Sequence, residues 1–74
     1  YKEFSRNLGA LIKQYREEAN VTQRDLGSEI DKTVTHISAI ENGRRGVSLR
    51  SLFLIARALH IDLSQLIKET LNND

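Results

Sequence analysis

Residues 22–43 constrain the fold of this chain most strongly, because their pattern predicts two short helices joined by a tight turn. Thr22 is a favourable N-cap residue, and Asp25 follows three positions later, as in a capping box. Leu26 and Ile30 have the spacing of the buried side of a helix. The sequence therefore predicts a first short helix that begins directly after Thr22 and ends near Ile30.

A second short helix is predicted from about Thr33 to Asn42, after a break in the pattern at residues 30–32. Thr33 is its expected N-cap residue, and Asn42 followed by a glycine is a typical stop. Ile37 and Ile40 are its expected inward residues. Its outward face carries mostly small or polar side chains, namely Val34, Thr35, His36 and Ala39. Such a face suits a helix that approaches another surface closely.

Another helix is predicted before this pair, from about Lys2 to Ala19. Its apolar positions recur at three- and four-residue steps and are Leu8, Leu11, Ile12, Tyr15 and Ala19. Asn20 is expected to end this helix, because asparagine tolerates the left-handed backbone conformation that many helix ends require.

Two more helices are predicted after the pair, with Ser48 and Asp62 as their N-cap residues. The first of them has a wide apolar surface formed by Leu49, Leu52, Phe53, Ile55, Ala56 and Leu59. Asp62 and Gln65 have the spacing of a capping box, and the last helix is expected to run to about Leu71. Residues 1–74 are thus predicted to form one all-α domain of five helices.

Several segments resemble a known family. The pattern of the central pair, TQxxL followed by a turn and ISxIExG, resembles the helix-turn-helix of the phage repressor and Cro type, with the same spacing. The preceding RNLGALIKQYREEANVTQ and the following SLRSLFLIARALHIDLSQLI are similar to the remaining helices of that family. Within the family, GRRGVSLRSLFLIARAL is similar to restriction-modification controller proteins. The resemblance implies a compact domain like that of lambda repressor, which binds DNA through the second helix of the pair.

Arg16 adjoins the apolar stripe of the first helix, and Glu41 is the only acidic residue of the second short helix. A bidentate ion pair between them would join these two helices. From the residues alone, this pair and two solvated surface charges are both open. The resemblance implies the pair, because the family has an Arg and a Glu at the matching positions.

The resemblance, together with the geometry of a helix in the major groove, assigns two sets of DNA contacts. Expected base contacts come from Val34, Thr35, His36 and Ala39, where the family often has Gln or Arg, so the preferred base sequence stays open. Expected phosphate contacts come from Gln23, Thr33, Asn42, Arg44, Arg45 and Arg50.

Composition excludes several classes of function. The 74 residues have 11 Lys and Arg against 10 Asp and Glu, so the net charge of +1 does not by itself indicate a nucleic-acid binder. The chain has no cysteine, and its two histidines stand in different predicted helices without carboxylates at ligand spacing. We expect no metal, no cofactor, no small-molecule ligand and no enzymatic activity. No membrane span or signal peptide is evident, and a cytoplasmic location is expected.

The resulting hypothesis is a DNA-binding transcription regulator that binds a palindromic operator in double-stranded DNA as a homodimer. The expected dimer interface consists of Phe53, Leu54, Leu63 and Ile67. A restriction-modification controller, a phage-type repressor and an antitoxin that represses its own operon are all open. The alternative is a helical protein-interaction module that uses its wide apolar face and has no specific DNA target.

Overall fold

The computed structural model describes residues 2–72, which form five α-helices and no strand. Residues 1, 73 and 74 of the predicted domain lie outside the described residues. The helices are α1 (Lys2–Glu18), α2 (Gln23–Ile30), α3 (Val34–Glu41), α4 (Leu49–Ala58) and α5 (Leu63–Leu71). The predicted all-α, five-helix fold is confirmed.

The predicted N-cap residues begin their helices as expected. The Thr22 hydroxyl accepts a hydrogen bond from the Asp25 N–H, and the Thr22 N–H donates to the Asp25 carboxylate, which completes the capping box. The N–H groups of the third helical residues of α3 and α4 likewise donate to the hydroxyls of Thr33 and Ser48. These contacts set the start of each helix after a connection of only a few residues.

The capping box predicted at the start of α5 is wrong in one part. The Asp62 carboxylate does cap the helix, but it accepts hydrogen bonds from the N–H and the hydroxyl of Ser64. The side-chain amide of Gln65 donates instead to Glu69, one turn further along the same helix. A carboxylate at that position gives the amide a charged acceptor, which is stronger than a neutral one.

Residues in the left-handed conformation follow four of the helices. Asn20, Asp31 and His60 have φ values of 60°, 59° and 58°, and Gly43 has a φ of 73° after α3. The predictions for Asn20 and for the stop after Asn42 are therefore confirmed. A non-glycine residue in this conformation lets the chain reverse tightly, at a cost in backbone strain.

The hydrophobic core contains side chains from all five helices. Its buried members are Leu8, Ile12, Leu26, Ile30, Ile37, Ile40, Leu52, Ile55, Leu59 and Leu66. α1 packs against α3 and α5, α2 packs against α3 and α4, and α4 packs against α5. Ala19 of the predicted α1 stripe is exposed, because α1 ends at Glu18. The arrangement leaves one side of α3 without a covering helix.

Two glycines allow close approaches around α3. A Cβ atom on Gly9 of α1 would overlap the carbonyl oxygen of Ile40 and lie 2.8 Å from that of Glu41. A Cβ atom on Gly27 of α2 would lie 2.5 Å from the carbonyl oxygen of Lys32 in the turn. Both helices therefore contact the backbone of the α3 region directly, which fixes the position of α3.

Candidate nucleic-acid interface

One side of α3 is buried and the other is open. Ile37 and Ile40 face the core and are each 1% exposed. The residues predicted to contact DNA bases lie elsewhere on the helix: Val34 and Thr35 are exposed, and His36 and Ala39 are half-buried. The predicted reading residues therefore occupy the uncovered side of a helix whose other side is fixed in the core.

A buried network holds the C-terminal end of α3 against α1. The Nε atom of Arg16 donates to Oε2 of Glu41 at 2.6 Å, and Nη2 donates to Oε1 at 3.2 Å. The remaining guanidinium nitrogen, Nη1, donates to the carbonyl oxygen of Val21 at 2.8 Å. Both charged residues are buried, and the hydrogen bonds to Glu41 raise the pKa of Arg16. The structure thus contains the bidentate pair that the family resemblance implies, and not two solvated charges.

Gln23 belongs to the same network, which the sequence reasoning missed. Its side-chain nitrogen donates to Oε1 of Glu41 at 3.0 Å. The two residues are 18 positions apart on different helices, and no periodicity in the sequence relates them. This bond uses one amide hydrogen of Gln23. The other amide hydrogen and the amide oxygen of Gln23 are not bonded to Glu41. Glu41 therefore fixes the orientation of a side chain that was predicted to contact a phosphate.

The N-terminal ends of α2 and α3 border a common cavity of about 690 Å³. Gln23 and Val34 both line it, together with Thr22 and Arg24. The structure therefore brings one predicted phosphate contact beside one predicted base contact. Thr33 is exposed next to them, and its hydroxyl retains a hydrogen to donate while its oxygen caps α3.

The remaining predicted phosphate contacts lie beyond the other end of α3. The backbone N–H of Arg44 donates to the carbonyl oxygen of Ala39 at 3.0 Å, so the loop continues directly from the helix. Arg44 and Arg45 are both exposed, and so is Asn42, whose amide donates to the Ser38 hydroxyl at 3.4 Å. Arg50 is also exposed, but it lies in the first turn of α4.

His36 stands between positive charges. Partial burial lowers the pKa of its imidazole below the ordinary value of 6.5, and the charges of Arg45 and Lys32 lower it further. The imidazole is therefore mostly neutral at pH 7 in the free protein. A neutral imidazole carries one hydrogen-bond donor and one acceptor, so it can contact either a base edge or a phosphate as a donor.

The residues predicted to form a dimer interface lie on α4 and α5. Phe53 is 51% exposed, and the half-buried Leu54, Leu63 and Ile67 pack partly against the core. Leu49, which precedes Phe53 by one turn of α4, is 72% exposed. The exposed apolar surface of α4 therefore includes Leu49 as well as the predicted interface residue Phe53.

Among residues 2–72, no group of three or more His, Cys, Asp and Glu side chains is placed to hold a metal ion. None of the helices in this part of the chain combines the length and the hydropathy that crossing a bilayer requires.

A five-helix domain that holds a short helix firmly against the core on one side and leaves its other side uncovered defines a DNA-binding regulator of the helix-turn-helix class. Comparison with protein families agrees, because the family model described as helix-turn-helix matches residues 12–66. The chain belongs to this helix-turn-helix family. Its family is one of regulators and not of enzymes.

The relatives of this chain include proteins that are named as control or controller proteins. The chain is 38% identical over 61 residues to the ImmF control region 10 kDa protein of Bacillus phage phi105, which covers 82% of this chain and 68% of that protein. It is 39% identical over 59 residues to the control protein C.MunI of a Mycoplasma species, covering 80% of each. The restriction-modification controller protein C.Esp1396I, solved as a tetramer with its natural 35 base-pair operator, is 33% identical, with a TM-score of 0.76 over 93% of this chain and 96% of that one.

Proposed function

We propose that this chain, as a single domain, binds a palindromic operator in double-stranded DNA as a homodimer and thereby regulates transcription. In this proposal α3 enters the major groove. The observation that carries the proposal is the position of α3, which is fixed by the buried pair of Arg16 and Glu41 and uncovered on the side of Val34 and Thr35. A helix that reads bases must be rigidly held and open on its reading side.

The base contacts we propose are modest in number and mostly apolar. The Thr35 hydroxyl can donate to or accept from several bases, and its methyl group can contact a thymine methyl. Val34 and Ala39 can make apolar contacts alone, which favours thymine methyl groups. His36 would add one polar contact. Because none of these residues makes a bidentate contact with a base, specificity requires two recognition helices, and this favours a dimer on two half-sites about 34 Å apart.

The phosphate contacts we propose flank α3 on both sides. Gln23 and Thr33 stand near its N-terminal end, and Asn42, Arg44 and Arg45 follow its C-terminal end. Contacts at both ends of a helix would fix its register along the groove without reading sequence themselves. Arg50 in the first turn of α4 would extend the contacts on the C-terminal side.

The relatives suggest the regulated genes. C.MunI is a control protein, and C.Esp1396I is a restriction-modification controller solved on its operator. We therefore propose that this chain controls restriction-modification genes. A phage-type repressor is a close alternative, because the ImmF control region protein is about as similar as C.MunI. Such a regulator acts where its DNA lies, in the cytoplasm, and needs neither a cofactor nor catalysis.

The experiment that tests the proposal is selection of bound sequences from a random duplex pool at two salt concentrations, with the mass of the recovered complex measured in parallel. An enriched palindrome bound by two protomers, or by a multiple of two, is the expected result. A pool that stays random at both salt concentrations would contradict sequence-specific regulation.

A protein-interaction module is the second candidate, and the exposure of Leu49 and Phe53 on α4 favours it. The two candidates differ in what they require of Arg44 and Arg45. On DNA, replacing either one by alanine should weaken binding and reduce the salt slope by about one. An interaction module that uses α4 would retain its partner affinity in both variants.

A further inference from the structure

A cavity of about 460 Å³ separates the N-terminal turns of α1 from the loop between α3 and α4. Four cationic side chains line it, Lys2 and Arg6 from α1 and Arg44 and Arg45 from the loop, with Ser5 and two glycines completing the lining. We refer to it as the cationic cavity. The proposed function uses only its loop side, and the two residues from α1 have no assigned role.

The cationic cavity contains no carboxylate. Each of four other cavities in the described part of the chain is lined by at least one Asp or Glu. Four of the chain's 11 Lys and Arg residues thus meet at one place, although the net charge is only +1. All four are exposed. Clustering of like charges without a counterion among the lining residues opposes folding, and a bound anion would relieve that repulsion.

The loop is fixed against α1 at this point. Gly43, in a left-handed conformation, lies so close to α1 that a Cβ atom on it would be 2.9 Å from the Cα atom of Arg6. Its N–H donates to the carbonyl oxygen of Ile40 at 3.0 Å. The cationic cavity is therefore joined rigidly to the C-terminal end of α3.

We propose that the cationic cavity binds neighbouring phosphates of the DNA backbone, with Lys2 and Arg6 of α1 acting together with Arg44 and Arg45 of the loop. This inference rests on the proposed function, because α3 must lie in the major groove for the cavity to reach the strand beside it. It adds α1 to the DNA-binding surface. The contact is electrostatic and does not depend on base sequence.

The experiment compares two double variants that each remove one Lys charge and one Arg charge. The test variant is Lys2→Gln with Arg6→Gln, and the control is Lys68→Gln with Arg57→Gln, whose residues are exposed on α5 and α4 and line no part of the cationic cavity. Affinity for the selected operator and for an unrelated duplex is measured from 0.1 to 0.5 M salt. Thermal unfolding verifies that both variants fold.

The test variant should reduce the salt slope by about 1.8 on both duplexes. Its affinity relative to the wild type should therefore be about 20-fold lower at 0.1 M salt than at 0.5 M salt. In phosphate ethylation interference, the phosphates bound by the cationic cavity should no longer be sensitive to ethylation in the test variant. The control variant should keep the wild-type pattern. If the wild-type protein selects an operator but the test variant has the slope and interference pattern of the control, Lys2 and Arg6 contact no phosphate and the inference is wrong. If the wild-type protein itself selects no operator, the proposed function fails first.

Discussion

The Nε atom of Arg16 donates to Oε2 of Glu41 at 2.6 Å, and this ion pair joins α1 to the C-terminal end of α3 with both side chains buried. Every nitrogen of the guanidinium has an acceptor within the network, and no buried side-chain polar atom in the described part of the chain lacks a partner. A buried pair with satisfied hydrogen bonds need not add stability compared with an apolar pair. Its clear effect is to fix where α3 lies, because either charge alone would be buried without a partner.

We expect Arg16→Met to lower the free energy of unfolding by about 3 kcal/mol, since it leaves the Glu41 carboxylate buried without its cation. Urea denaturation measures this. Combining the change with Glu41→Leu should recover part of the loss, because the double variant has no unpaired charge. Arg24→Met, at an exposed position of α2, is the control and should change the value by less than about 0.5 kcal/mol. Equal effects of Arg16→Met and Arg24→Met would contradict the role assigned to the pair.

Gly9→Ala should destabilise the protein, although alanine favours helix over glycine by about 1 kcal/mol. The added methyl group would overlap the carbonyl oxygen of Ile40, so α1 and α3 would have to separate. We expect a net loss of about 2 kcal/mol, measured by urea denaturation. Gln14→Ala, at an exposed site of the same helix, is the control and should change the stability by less than about 0.5 kcal/mol. A stabilised Gly9→Ala protein would mean that α1 and α3 are not tightly apposed.

Local signals in the sequence predicted the helices but not the contacts between them. The capping box of Thr22 and Asp25 acts within one turn and was recognised from spacing alone. The bond between Gln23 and Glu41 depends on how α2 and α3 are placed in space, and sequence spacing carries no such information. The ion pair of Arg16 and Glu41 is an intermediate case. The residues alone do not distinguish it from two solvated charges, and only the family resemblance favours it.

The same distinction applies to the interface. The outward positions of α3 follow from helical periodicity, once Ile37 and Ile40 are identified as inward residues. The cationic cavity does not follow from helical periodicity, because Lys2 and Arg6 stand 42 and 38 positions before Arg44 along the chain. Only the folded structure places these charges together, through the close contact of Gly43 with α1.

Because of His36, the stability of the protein should decrease and its affinity for DNA should increase as the pH falls. Its pKa in the folded protein lies below 6.5, so the unfolded chain takes up a proton first as the pH falls. The contribution of His36 to stability is therefore present above pH 6.5 and is lost as the pH falls through the pKa of the folded protein. In the operator complex, nearby phosphates would raise the pKa of His36, so affinity should increase as the pH falls below 7.

Titration of the imidazole by NMR measures both effects. In the free protein, Arg45→Gln should raise the pKa of His36, because it removes one of the charges that lower it. His36→Gln should flatten the pH dependence of operator affinity. His60→Gln, which changes the exposed histidine after α4, is the control and should leave that dependence as in the wild type. A pKa for His36 that is equal in the free and bound protein would contradict the expected effect of nearby phosphates on its imidazole.

Phe53→Glu should convert the proposed dimer to monomers. A side chain that is half exposed in the monomer would be covered by the partner, and removing a charged carboxylate from water there should weaken association at least about 100-fold, or about 3 kcal/mol. Sedimentation equilibrium measures the change. Ala10→Glu adds the same charge at an exposed position of α1 and should leave the dimer intact.

The same Phe53 variant also separates dimerisation from DNA contact. Phe53 lies on α4, which carries Arg50 but none of the other residues assigned to bases and phosphates, so each monomer keeps its recognition helix. A monomer with an intact α3 should keep its affinity for an unrelated duplex per protomer but lose its preference for the palindrome, because only two linked helices read both half-sites. If the Phe53→Glu protein remained dimeric and selective, α4 would not form the interface, and the exposed Leu49 and Phe53 would be available to another protein.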